Sequence, residues 1–190
     1  SSSAASDVYK RQASNNVAVG NSALGICVDG ASNVAVGVSC LDANTSGASN
    51  VAMGHHALGA NTTASNNVGV GNSCLSTNVD GVRNTGVGAN CLDANSSGSN
   101  NTACGQDALG ANTTASGNSA FGHQALNANS TGTGCVGVGK NSLLSNTTGS
   151  NNVAIGQNAL DANLTSSSNV AVGHEALGAN TASNNTAVGH

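Results

Sequence analysis

The sequence has no proline and no tryptophan, a single phenylalanine and a single tyrosine, and charged residues make up only 6% of it. A conventional globular core needs large apolar side chains, and the apolar share here is mostly Ala and Val. With four Lys and Arg in all and a net charge of -4, no basic patch is available to track a phosphate backbone, so nucleic-acid binding is not expected. No apolar run approaches the roughly 18 residues of a membrane-spanning helix, so no membrane contact is expected within this segment. By composition alone the chain resembles a disordered low-complexity tract. Disorder requires no spacing, however, so the question is whether the residues keep a period.

Residues 1–12, "SSSAASDVYKRQ", are unlike everything that follows and contain the only Tyr. They lack the apolar middle of a signal peptide. Residues 2–12 resemble the in-frame translation of a sequencing adaptor. They are expected to be a disordered artefact, with residues 13–190 one repeat domain of a longer protein cut at both ends.

From there the period is strict. Gly20, Gly37, Gly54, Gly71, Gly88, Gly105, Gly122, Gly139, Gly156 and Gly173 are each 17 residues apart, and only the last step, to Gly189, is 16. Four residues after these glycines come Leu24, Leu41, Leu58, Leu75, Leu92, Leu109, Leu126, Leu143, Leu160 and Leu177. Seven after come Asn44, Asn61, Asn78, Asn95, Asn112, Asn129, Asn146, Asn163 and Asn180, with Cys27 in that place in the first unit. So short a repeat holds one supersecondary unit, which buries its apolar face only by stacking on its neighbours.

Within a unit, "NVAV" alternates branched and small residues as a strand does. Gly ends it at a turn needing positive φ, and "ANTTG"-type stretches, or the Asp-Gly at 29–30 and 80–81, turn the corner. "ALxA" reads as a second short strand. Gly, Asn and Thr interrupt any helical run. The expected fold is all-β: a parallel β-solenoid, or β-roll, of about ten 17-residue coils with two short strands per coil, rungs about 4.8 Å apart.

Alternation assigns the faces. The preferred reading places Leu and both Val columns inside. The small column, Ala18, Ala35, Ala52, Gly69, Gly86, Ala103, Ala120, Gly137, Ala154, Ala171 and Ala187, then lies outside, as a candidate interchain interface where a second and third copy pack closely. In the alternative, Ala faces a narrow interior and Val faces out. In strand two, Leu41 and Ala43 are expected inside and Asp42 outside. One thin coil cannot stand alone, and a stack would gain from a partner chain.

"NNVAVG", "SNVAVG" and "NNVAIG" resemble the head repeats of trimeric autotransporter adhesins of the YadA type, and "NNVAIGQNALDAN" and "ALGANTTASNN" resemble repeats of bacteriophage tail-fibre proteins. The resemblance spans residues 14–190. It implies a β-roll that trimerises side by side, although the adhesin head coil is shorter than this one.

Sites of chemistry are sparse. His55, His123, His174 and His190 follow the periodic glycine, where other units carry Asn, Gln or Lys. His55 and His123 are four coils apart and cannot share an ion within one chain, so no metal or other cofactor is expected, the alternative being a threefold ring of one histidine in a trimer. "GTGCVGVGKN" at 132–141 nearly spells a phosphate loop, but Asn141 stands where the magnesium-binding hydroxyl is needed and no helix follows. Cys40, Cys74 and Cys91 replace the small residue before Leu, Cys104 replaces a Val read as core, and Cys27 and Cys135 replace Asn. Buried free thiols are expected, because parallel Cβ vectors on stacked rungs disfavour a disulfide. Sequons at Asn61, Asn112 and Asn146 are explained by turn chemistry. No carboxylate pair or nucleophile–base grouping converges, so an enzyme is not expected.

The leading expectation is a structural fibre or adhesin segment. It would be homotrimeric and extracellular, on a cell surface or virion tail fibre, extending a rod and displaying a surface for a host receptor or glycan. The alternative is an ice-binding solenoid using the corner column Thr45, Thr62, Val79, Ser96, Thr113, Ser130, Thr147, Leu164 and Thr181.

Overall fold

A computed structural model describes residues 13–190, and the expectation for 1–12 lies outside the described residues. Eleven strands form one parallel sheet in chain order: β1 (Val17–Val19), β2 (Val34–Val36), β3 (Val51–Met53), β4 (Val68–Val70), β5 (Thr85–Val87), β6 (Thr102–Cys104), β7 (Ser119–Phe121), β8 (Val136–Val138), β9 (Val153–Ile155), β10 (Val170–Val172) and β11 (Thr186–Val188). Register follows the period: Val34 pairs with Val51, Ala35 with Ala52 and Val36 with Met53. Even across the 16-residue last step, Ala171 pairs with Ala187. The fold is a parallel β-solenoid, about 48 Å along the sheet at ~4.8 Å per rung.

Each coil has one strand, not two. "ALxA" does bond to neighbouring rungs: Leu41 N–H donates to Ala57 O at 3.1 Å and Ala43 N–H to Gly59 O at 3.3 Å. Yet it is not extended. All ten column leucines have φ between 49° and 54°, and the residues two before them, Ser22 to Glu175, have φ between 52° and 59°. A bulky L-residue in the left-handed region costs about 1–2 kcal/mol. Burying Leu returns about 1.5–3 kcal/mol, and the turn aims its side chain into the coil. With Leu in a turn, strand alternation fails for its neighbours, and Ala43 is only half-buried rather than core.

The faces of the true strand are also reversed from the adopted reading. Ala35, Ala52, Ala103, Ala120, Ala154 and Ala171 are fully buried, as are Gly69, Gly86 and Gly137. Only the end-rung members, Ala18 and Ala187, retain exposure. The interior has no room for more: a Cβ built on Gly69 meets Leu58 Cγ at 3.3 Å, and one on Gly86 meets Cys74 Sγ at 2.6 Å. The small column therefore packs inside its own chain and is not an interchain interface. The Val columns, and Cys104 with them, face outward.

The core is thus narrow. Each complete coil contributes one Leu, Ala or Gly from the strand, Ala, Cys or Ser before Leu, a small corner residue, and two Asn or one Asn and a Cys. Large aromatics are absent because no cross-section of the coil could hold them.

Candidate functional site: the outer sheet face and the asparagine ladders

The turn asparagines prove to be core residues. Asn44 to Asn163 of that column are fully buried. Their carboxamides form a ladder: Asn95 Nδ2 donates to Asn78 Oδ1 at 2.8 Å, and Asn112 Nδ2 to Asn95 Oδ1 at 2.7 Å. Each also donates to its own corner carbonyl, as Asn95 does to Gly98 O at 3.0 Å. The sequon residues Asn61, Asn112 and Asn146 belong to this ladder, so their side-chain amides are enclosed and already bonded.

Sequence reasoning missed a second ladder, the Asn just before each strand: Asn33, Asn50, Asn67, Asn84, Asn101, Asn118, Asn152 and Asn169, all fully buried. Here Oδ1 accepts the next rung's backbone N–H, Asn50 N–H to Asn33 Oδ1 at 2.9 Å, while Nδ2 reaches the corner carbonyl of the next coil, Asn33 to Gly47 O at 2.9 Å. A buried polar group is tolerable only when so paired. The visible signal was the Asn that precedes every strand but β8, where Cys135 stands, read only as part of the strand-like "NVAV".

The two asparagine-replacing cysteines imitate this chemistry. Cys27 Sγ donates to Gly30 O at 3.3 Å and accepts from Asn44 Nδ2 at 3.8 Å, and Cys135 Sγ donates to Gly149 O at 3.2 Å. All six cysteines are free, and only Cys104 is exposed. Burial pushes the Cys40 and Cys135 thiols up. A hydrogen bond with Cys74, then burial, raises Cys91.

The periodic glycines stand at φ +125° to +141°, Gly189 after the shortened step included. The 16-residue last coil fails to complete both ladders: Asn163 Oδ1 and Asn169 Nδ2 are buried without partners. Asn180 Nδ2 bonds instead to Ala182 O. Beside this corner lies a cavity of about 110 Å³ lined by Ala162, Leu164, Thr165, Ser166 and Thr181.

The surface that remains for function is the outer face of the sheet. Its residues are the first and third of every strand, and Met53, Val87, Phe121, Val138 and Ile155 are among its exposed apolar side chains. This gives an uncharged, largely apolar stripe along the rod. By contrast, the corner hydroxyls of Thr45, Ser96, Thr113, Ser130 and Thr147 each donate to a carbonyl of the next rung, Thr45 Oγ1 to Thr62 O at 3.1 Å and Thr147 Oγ1 to Leu164 O at 2.9 Å. His55 and His56 are exposed neighbours with ring centroids 5.9 Å apart. His123 is exposed and stands on a separate coil. His174 and His190, one rung apart, stack with centroids at 5.1 Å. The 132–141 stretch holds β8 and the periodic Gly139, and it opens no helix.

Fold and interior together define a β-solenoid repeat protein stabilised by asparagine ladders. Comparison with protein-family models, curated proteins and solved structures returned no match.

Proposed function

We propose that this chain is a rod-forming segment of a surface fibre or tail fibre, working outside the cell or on a virion, and that it associates laterally, as a homotrimer, through the outer face of its sheet. The observation that carries this reading is the apolar stripe of Val87, Phe121, Val138, Ile155 and their column neighbours, exposed on a flat face in a protein otherwise short of large apolar groups. Contiguous exposed apolar surface is a hallmark of interaction sites. The interface expected at the Ala column thus moves to the Val columns. Residues at the exposed corners vary without disturbing the ladders, which suits display of a surface for a receptor or glycan.

Sedimentation or light scattering at micromolar concentration tests the reading. The expected result is a trimer mass, reduced to monomer by Val87→Lys with Phe121→Lys and Val138→Lys. A wild-type monomer would remove the proposal. A monomer that also depressed the freezing point would favour ice binding, a reading weakened by the occupied corner hydroxyls.

A further inference from the structure

We propose that His174, Glu175 and His190 form a binding site for a late first-row divalent cation such as Zn²⁺. Their ligand atoms all lie within 4.8 Å of one another. The convergence follows from the coil. His174 and His190 each follow a periodic glycine on successive rungs, and stacking brings their rings to 5.1 Å with planes 34° apart. Glu175 sits in the left-handed turn at φ 57°, which returns its carboxylate toward its neighbour: Oε1 is 3.8 Å from His174 Nε2.

Two imidazoles and a carboxylate form a donor set that zinc accepts, with solvent in the fourth position. Zinc–nitrogen distances of about 2.1 Å place tetrahedral ligand atoms roughly 3.4 Å apart. The required closure is small, and all three side chains are exposed and free to change rotamer. The other adjacent histidines lack this arrangement: His55 and His56 lie on one coil with rings 5.9 Å apart, and no carboxylate joins them in such a cluster among the described residues.

The position gives the site a purpose. It ties the rung at Gly173 to the rung at Gly189, across the shortened coil where Asn163 Oδ1 and Asn169 Nδ2 lack partners. An ion there would fasten the two coils between which the Asn163–Asn180 rung of the corner ladder is broken.

Substitutions already present in the same columns provide fold-neutral variants. Asn occupies the His column at 21 and 72, and Gln occupies the Glu column at 124. Calorimetric titration of the full chain with zinc sulfate should show one site per chain with micromolar-range affinity; zinc should shift thermal melts upward, and a chelator should reverse the shift. His174→Asn or His190→Asn should weaken binding at least tenfold, and Glu175→Gln by a smaller factor. His55→Asn with His56→Asn should leave it unchanged. No heat of binding up to millimolar zinc, or binding that survives His174→Asn and is lost in the His55/His56 variant, would overturn the assignment.

Discussion

At the scale of the residue, the molecule depends on polar side chains doing what backbone usually does. Where the coil turns its corners, asparagine carboxamides supply the missing rung-to-rung contacts. Asn95→Ala should cost about 3 kcal/mol, because it leaves Asn78 Oδ1 and Asn112 Nδ2 each short of a partner inside the core. Asn95→Cys should cost less, since Cys27 both donates and accepts in the same column. Urea titration of the two variants checks the order. Asp93 makes a second residue-scale prediction. Burial, with nearby Asp107, holds its carboxyl above the usual range, against an opposing pull from the backbone N–H groups of Asp93 and Ala94. The folded state therefore binds this proton more tightly than the unfolded one. The penalty is fully present above the folded value, and stability is regained as pH falls through that value toward the ordinary one of about 3.9. Asp93→Asn, with Asn127 already in that column, should melt higher than wild type at pH 7, and the difference should shrink toward pH 4.

At the scale of the element, the turns are more demanding than the strands. A three-residue strand contributes little alone, whereas each coil requires left-handed backbone at three positions besides its periodic glycine. The demands are unequal. A Cβ on Gly88, at φ +141°, would meet Gly105 O at 2.5 Å, so Gly88→Ala should lose about 3 kcal/mol or more. Gly117, at φ +73°, has nothing within 4 Å of such a Cβ, and its column holds Asn100 and Asn151 elsewhere. Gly117→Asn should therefore be near neutral in the same melts. The leucine turn was the least legible element. "ALxA" has a strand's composition, and only the stacked backbone reveals that Leu earns its left-handed conformation by filling the interior.

At the scale of the whole molecule, stability accumulates rung by rung, because each coil touches only its neighbours. Deleting residues 106–122, one full period, should preserve the circular dichroism spectrum and lower the urea m-value modestly. Deleting half that length should unfold the chain locally by putting Leu and Asn out of column. The phase of Gly, Leu and Asn made the stacked architecture legible before any coordinates, since nothing but rung-on-rung packing requires three residue types in step. The site was less legible. The uniform smallness of the Ala column announced a tight contact, but not whether the contact lay within the chain or between chains.

The residue pattern by itself determined the period, the parallel register and the inward leucines, because these follow from repetition and apolar burial alone. Tertiary structure decided which strand face is interior, because the depth of the coil leaves space there only for a methyl group. It also decided that asparagine belongs to the core and that His174 and His190 meet, because both depend on the distance between rungs, which no single rung contains.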